Sequence, residues 1–385
     1  FELILGNREP YLGVMLTYPE PAAAPAPARI TLRTALRPKS SGIVGVSCLG
    51  AGSFARAVLL PNLVRLRGVE LRGVVTSSGL SARSAGKKFG FAYCASNVQE
   101  VLDDPETDAV FIVTRHSQHA EMVCQALAAG KTVFVEKPLA LSVEQVDQVR
   151  QVLEQGVPGL MVGFNRRFAP LARELKAHVA GRGPLTVHYR CNAGQIAADH
   201  WLASAEEGGR IVGEGCHFFD FFQYLTDADP QTVQAVCPGR QTSADEAQAT
   251  VTYSDGSVCH LLYTAQGPPS FSKERIEVFA GGRVGVLEDF RSLRLESDTG
   301  RRKRRRLFRA DKGHAAELKA FLDAVRTAGE MPIPPDCLLS TTLASLAAVE
   351  SIRRRQPVLL CELEADAERL TPTRQQPHPL QRGTP

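Results

Sequence analysis

Residues 131 to 141, KTVFVEKPLAL, carry an apolar run into two opposite charges. Thr132 to Val135 reads as a buried strand, and Pro138 withholds the backbone donor that would continue its ladder. Glu136 and Lys137 therefore stand at the rim of a sheet, where a charge serves either a ligand crevice or solvent. A second group of ionisable residues lies in GGRIVGEGCHFFDFFQYL (208 to 225), just after a two-glycine break. Arg210, Glu214, His217 and Phe221 recur at helical spacing, with Asp220 one turn beyond His217. A polar stripe opening an otherwise aromatic helix invites a site, and an imidazole that titrates near neutral pH makes His217 a candidate general base.

The elements that must position these groups begin at residue 43. Short apolar strands alternate with helical stretches, the pattern of an α/β doubly wound parallel sheet. IVGVSCL (43 to 49) and VELRGVVTS (69 to 77) read as strands, and DAVFIVT (108 to 114) as another. Gly50, Gly52 and Ala55 form G-x-G-x-x-A at the first strand-to-helix junction, with Ser53 and Phe54 between them. The first glycine makes the turn, the second lets a pyrophosphate approach the backbone, and Ala55 lets helix and strand pack closely. The helix N-terminus then offers unpaired N–H groups to the phosphates. NAD(P) is the cofactor expected here. No Asp or Glu occurs from Leu71 to Gln99, where an acid would hold the ribose hydroxyls of NAD; Ser77, Ser78, Arg83, Lys87 and Lys88 lean toward NADP instead. Ligands lie beyond the carboxyl ends of such strands, so Thr114, Arg115, His116, Glu136 and Lys137 are expected against the cofactor, with His119 beside them.

Four blocks together, CLGAGSFA, VTRHSQHAEMVCQALAAGKTVFVEKPLAL, VGFNRRFAPLA and GGRIVGEGCHFFDFFQYL, resemble the glucose-fructose oxidoreductase, inositol dehydrogenase and MocA-like family over residues 43 to 360. The resemblance implies an N-terminal Rossmann domain followed by an α/β domain with a large, mostly antiparallel sheet. It also implies hydride transfer between NAD(P) and a carbinol carbon of a sugar, cyclitol or nucleotide sugar. The family's Glu-Lys-Pro corresponds to Glu136, Lys137 and Pro138, which aims Lys137 at the substrate oxygen, where an ammonium can stabilise an alkoxide or exchange a proton. Pro138 restrains Lys137 to extended backbone. His217 would take the hydroxyl proton. The family's aspartate four residues before that histidine is replaced by Gly213, and Glu214, one residue later, is turned by roughly 100° on an ideal helix. Asn165, Arg167, Trp201, Arg210 and Asp220 are expected near the substrate; Trp201 stacks on a sugar ring or fills the core.

Composition bounds the rest. The 385 residues, 44% hydrophobic, suffice for two domains with real cores. A net charge of +4 gives no reason to expect nucleic acid or membrane as partner. The nine cysteines contain no C-x-x-C pair, so free thiols in the cytoplasm are expected, and no metal site. Residues 1 to 20 read as the remnant of a preceding domain or a leader; they also look like the tail of a zinc-type alcohol dehydrogenase domain, as in bidomain oxidoreductases. The Pro/Ala-rich stretch from 21 to 41 reads as a linker. A dinucleotide-binding domain follows over 42 to 163, a substrate and oligomerisation domain over 164 to 365, and a disordered tail over 366 to 385. RRKRRR (301 to 306) reads as a solvated hairpin loop rather than a nucleic-acid signal. Homo-oligomers through the large sheet are expected from the family. The alternatives to a dehydrogenase are bound NAD cycling within another reaction, and a non-catalytic regulatory or scaffolding module of a larger enzyme.

Overall fold

The computed structural model describes residues 29–33, 42–197, 200–238 and 246–370. The expected domain remnant at 1–20, most of the linker and the tail beyond 370 lie outside the described residues. Arg29–Thr31, expected within the linker, instead form a short strand, β1, against the edge of the first sheet. Residues 366–370, expected in the tail, complete a helix that starts at Leu360.

Among the described residues two sheets carry the fold. The first is built from β1, β2 (Val44–Leu49), β3 (Val69–Val75), β4 (Tyr93–Ala95), β5 (Ala109–Ile112), β6 (Thr132–Val135) and β7 (Leu160–Val162). Its order is β1-β4-β3-β2-β5-β6-β7, parallel throughout except for β1. Every residue of β2 and β5 is buried, as continuous apolar strands covered on both faces must be. The chain winds outward from β2 to β4 and then returns to lay β5 beside β2. That reversal is the point at which such sheets take their ligands, beyond the carboxyl ends of β2 and β5.

The second sheet runs β15-β14-β13-β12-β8-β11-β10-β9-β16. Its members are β8 (Thr186–Asn192), β9 (Pro230–Val236), β10 (Ala247–Tyr253), β11 (Val258–Thr264), β12 (Glu274–Ala280), β13 (Arg283–Glu288), β14 (Ser292–Ser297), β15 (Arg302–Arg306) and β16 (Val358–Leu359). All neighbours are antiparallel except β8 and β11. Buried and open positions alternate along β8 to β12, so one face is core and the other open. Asp255 and Gly256 turn β10 into β11, with Gly256 in the left-handed region. RRKRRR is not a loop: residues 302–306 pair with β14 as an exposed edge strand. Its alternation was invisible because both faces carry the same kind of residue.

The helix His314–Thr327, read from sequence as part of the second domain, packs on the first sheet. Its Phe321 meets Phe111 and Phe134 edge-on at 5.4 and 5.5 Å, and its Arg326 donates to Gly42 O and Arg67 O. This helix thereby ties the end of the second sheet's chain segment back onto the first sheet. Among the described residues no helix is long and apolar enough to cross a membrane.

Candidate active site

The glycine turn has the shape its sequence demands. Gly50 sits at φ +96°, and a Cβ there would lie 2.5 Å from Val113 O and 2.7 Å from its carbon. Only glycine lets β5 pass so close. A Cβ on Gly52 would meet nothing within 4 Å, so this position faces open space at the head of the following helix. Ala55 is buried under it, and the helix opens with a π-turn, Ala55–Leu59. A pyrophosphate fits this cradle. Ser53 and Phe54 are exposed at its mouth, as are Ser77 and Ser78 just after β3 and Arg83 on the helix Gly79–Phe89. Arg56, not singled out by sequence, ties the two together: its guanidinium donates to Ala51 O (2.8 Å), Ser81 O (2.9 Å), Ser81 Oγ (3.1 Å) and Ser84 Oγ (3.3 Å).

Beyond β6, the Lys137–Pro138 peptide is cis. Lys137 Nζ donates to Gly213 O at 2.8 Å, across the lobe junction. The residue that replaces the expected aspartate thus engages Lys137 through its backbone carbonyl, not His217 through a carboxylate. Gly213 lies in a π-turn, Ile211–Gly215, so the 100° geometry of an ideal helix does not apply here. A Cβ on Gly213 would meet His116 Cε1 at 2.8 Å, which explains why no side chain stands there. Glu214 is engaged elsewhere: its Oε2 accepts from Arg210 Nη2 (3.0 Å), Arg210 Nε (3.2 Å) and the Tyr263 hydroxyl. Burial resists its ionisation, but the Tyr263 bond and the charges of Lys137 and Arg210 prevail and hold its pKa below the ordinary value. Nothing local in the sequence announced Tyr263, which arrives on β11.

Glu136 is enclosed, its carboxylate 3.0 Å from where a Cβ on Gly163 would be. Burial pushes its pKa up to about 7, partly offset by the Lys137 charge and N–H. The buried carboxyl of Glu317, also unforeseen, has an Oε1 with no partner among the described residues. Burial first, then the charges of Glu136 and Asp220, raise its pKa well above the usual carboxyl range.

His217 is buried against Phe164, ring centroids 6.2 Å apart, and its Nδ1 has no partner among the described residues. Its pKa is well below the ordinary value because of burial and then the positive groups around it: Arg166, Lys137, His314 and Lys312. The ring is therefore neutral at neutral pH, able to accept a proton and poor at keeping one. Arg166 and Lys312 are fixed by Glu274, whose Oε2 accepts from Arg166 Nε at 2.8 Å and whose Oε1 accepts from Arg166 Nη2 at 3.2 Å and from Lys312; Tyr189 adds its hydroxyl. Burial disfavours the Glu274 anion, but Arg166 and Lys312 overwhelm that and its pKa is far below normal.

Lys137, His217 and Glu214 are thus brought together, while several other candidates are not available to a ligand. His119 is buried under the turn it supports, donating Nδ1–H to Pro138 O at 2.7 Å. Asn165 is buried and donates to Lys312 O at 2.9 Å. Arg167 and the buried Asp220 neutralise each other through a two-point ion pair. Arg210 is spent on Glu214 and on Gly194 O, 2.7 Å away. Trp201 is half-buried, edge-on to His116 at 4.8 Å, with the Arg115 guanidinium 4.4 Å over its ring. Thr114 is half-buried, its hydroxyl 3.4 Å from Arg115 O. Among the described residues no cluster of three or more His, Cys, Asp or Glu could hold a metal ion.

Comparison with known proteins adds an independent line. Residues 44–164 match the GFO/IDH/MocA model, described as an oxidoreductase family with an NAD-binding Rossmann fold, and residues 183–282 match the GFO/IDH/MocA C-terminal domain. The chain is 26% identical to a scyllo-inositol 2-dehydrogenase (NAD(+)) of Bacillus subtilis, covering 72% of this chain and 85% of that one. It is 25% identical to a myo-inositol 2-dehydrogenase of Thermotoga maritima, over 73% of this chain and 88% of that protein. A levoglucosan dehydrogenase solved with NADH and levoglucosan shares the fold, with a TM-score of 0.73 at 20% identity, covering 82% of this chain and 99% of that one.

Proposed function

Because this chain belongs to the GFO/IDH/MocA oxidoreductase family, we propose that it transfers a hydride between a nicotinamide and a carbinol carbon of a sugar, cyclitol or nucleotide sugar. NAD(P) supplies the hydride acceptor or donor when bound. Gly50, Gly52 and Ser53 would hold its pyrophosphate at the helix N-terminus, with Thr114, Arg115 and Glu136 along the crevice. The observation that carries the reading is Lys137 held across the lobe junction on Gly213 O at 2.8 Å, Gly213 standing four residues before His217 on the same helical segment.

Lys137 donates a hydrogen bond to the carbinol oxygen, and its charge favours the alkoxide. His217, neutral in its cationic surroundings, accepts the hydroxyl proton during oxidation and returns it during reduction; its depressed pKa means the proton passes on quickly. Glu214, with its Oε2 held by Arg210 and Tyr263, stands in the wall near Lys137 as a fixed negative charge. This juxtaposition and the family membership favour an enzyme over a scaffolding module.

Finer features follow the same reading. Ser77, Ser78 and Arg83, with Arg56 anchored beside them, support accommodation of NADP, since an extra phosphate seeks hydroxyls and cations. The open face of the second sheet supports a homo-oligomer: it exposes Val236, Leu262 and Phe279 around a depression of about 660 Å³. Nine unpaired thiols support the reducing cytoplasm. The test is nicotinamide absorbance with NAD(P)⁺ across inositols, hexoses and nucleotide sugars. Wild type should turn over at least one, and Lys137→Ala should lose about 10²–10⁴-fold in kcat. Tight NADH binding with no turnover on any of them would favour the scaffold instead.

A further inference from the structure

We propose that Glu207 is a positioning residue that clamps the segment His200–Glu207 of the second lobe onto the first and, through His116 and Gly213, keeps Lys137 at its station. The inference rests on reading the crevice as the cofactor site, while the contacts that make the clamp are between protein groups alone.

The carboxylate of Glu207 spans both donors of Ser117, taking the backbone N–H on Oε2 and the hydroxyl on Oε1, each at 3.2 Å. Its own carbonyl accepts from His116 Nδ1 at 3.0 Å. That bond requires the Nδ1–H tautomer, and burial, which depresses the His116 pKa to about 3, keeps the ring in its neutral form. Seven residues earlier the same segment begins with His200 and Trp201, which stack at 5.9 Å; Trp201 lies edge-on to the same His116 and under Arg115. Contacts of three kinds, hydrogen bonds, an aromatic edge and a cation over a ring, thus land on one short stretch, Arg115 to Ser117, beyond the carboxyl end of β5.

His116 is the link to the reacting group. Its Cε1 lies 2.8 Å from where a Cβ on Gly213 would be, so ring and backbone are in full contact, and the carbonyl of that same glycine holds Lys137 Nζ. The segment ends at Gly208 and Gly209, both in the left-handed region at φ +80° and +65°. Such a pair lets the chain change direction between clamp and π-turn without strain. Glu207 therefore sits one residue before a natural pivot, the place where a fastening has most leverage on whether the segment lies on the crevice or off it.

Trp201 is the sole tryptophan, so its emission reports the clamp directly. Acrylamide quenching should be measured for wild type, Glu207→Ala, Glu207→Gln and Gly213→Ala, with far-UV circular dichroism confirming the fold. Glu207→Ala should raise the quenching constant by about twofold or more, because two charge-assisted bonds are lost. Glu207→Gln, which keeps one acceptor, should fall between. Gly213→Ala, pressing on His116 from the other side, should also raise it. NADH release followed by stopped flow should speed about tenfold in Glu207→Ala. Unchanged quenching in Glu207→Ala overturns the clamp, and unchanged quenching in Gly213→Ala overturns its link to Lys137. Should Glu207→Ala not fold, Ser117→Ala must shift quenching in the same direction by less, and no shift there counts against the clamp. If wild type binds no NADH, the cofactor reading fails while the quenching results still decide the clamp.

Discussion

Replacing Gly50 and Gly52 separately by alanine should split folding from cofactor binding. At Gly50 the new methyl would stand 2.5 Å from Val113 O, 2.7 Å from Val113 C and 3.0 Å from Thr114 N, at φ +96°. The left-handed backbone alone costs an L-residue about 1–2 kcal/mol, and displacing β5's exit brings the total to about 3 kcal/mol or more. At roughly 2–4 °C per kcal/mol for a domain of this size, Tm should fall by about 6–12 °C. At Gly52 the methyl meets nothing, so the folded state is not strained; the stiffer unfolded chain should leave stability equal or higher by about 0.4–1 kcal/mol. The same methyl would hold a pyrophosphate off the backbone, costing NADH affinity at least about tenfold, or 1.4 kcal/mol. Calorimetry or circular dichroism gives Tm, and NADH fluorescence titration gives Kd. If Gly52→Ala binds NADH like wild type, the pyrophosphate does not lie over this turn and the cradle is wrongly assigned. If Gly52→Ala melts well below wild type, the open space beside it is not real.

Two other perturbations test the charges around the site. The Glu136 carboxyl titrates near 7 when folded and near 4.5 when unfolded, so the native state holds its proton more tightly; its contribution is full below pH 4.5 and is lost as pH rises through 7, roughly 3 kcal/mol in all. Glu136→Gln should therefore gain stability relative to wild type between pH 4.5 and 7.5 in urea titrations, and a pH-independent difference would contradict this. Arg166→Ala leaves Glu274 buried with Lys312 and Tyr189 as its remaining donors and should cost about 3–5 kcal/mol, while pairing it with Glu274→Gln should recover part of that in a double-mutant cycle. Strict additivity would mean the buried pair is not coupled.

What could be read from the chain was what local rules determine. The strand, glycine turn and helix at 44–65 follow from spacing, and Lys137 at a strand rim follows from one apolar run meeting a proline. What could not be read was made by distant partners. Tyr263 reaches Glu214 from 49 residues away, and Glu207 reaches Ser117 from 90. No periodicity encodes such meetings. Asn165, Arg167, Asp220 and His119 have side chains suited to ligands, and only the fold shows that the first three are bonded to neighbours and that His119 is buried on Pro138 O. The π-turn at Ile211–Gly215 could not be read either, because residue counting assumes a regular helix. RRKRRR failed for the opposite reason: six like residues give no alternation by which to recognise a strand.

That strand has a consequence for how the molecule avoids its own kind. A free sheet margin offers a ladder of open amides and carbonyls on which a foreign strand can template, the first step toward aggregation. β15 guards its margin with five consecutive cations, only partly answered by Glu174 and Glu296. The opposite margin is β16, just two residues long and too brief to template anything. Two copies approaching margin to margin meet like charge on one side and too little strand on the other. The deterrent is electrostatic and reaches only about 8 Å in physiological salt, so it acts at the last moment of approach, when registry would otherwise lock.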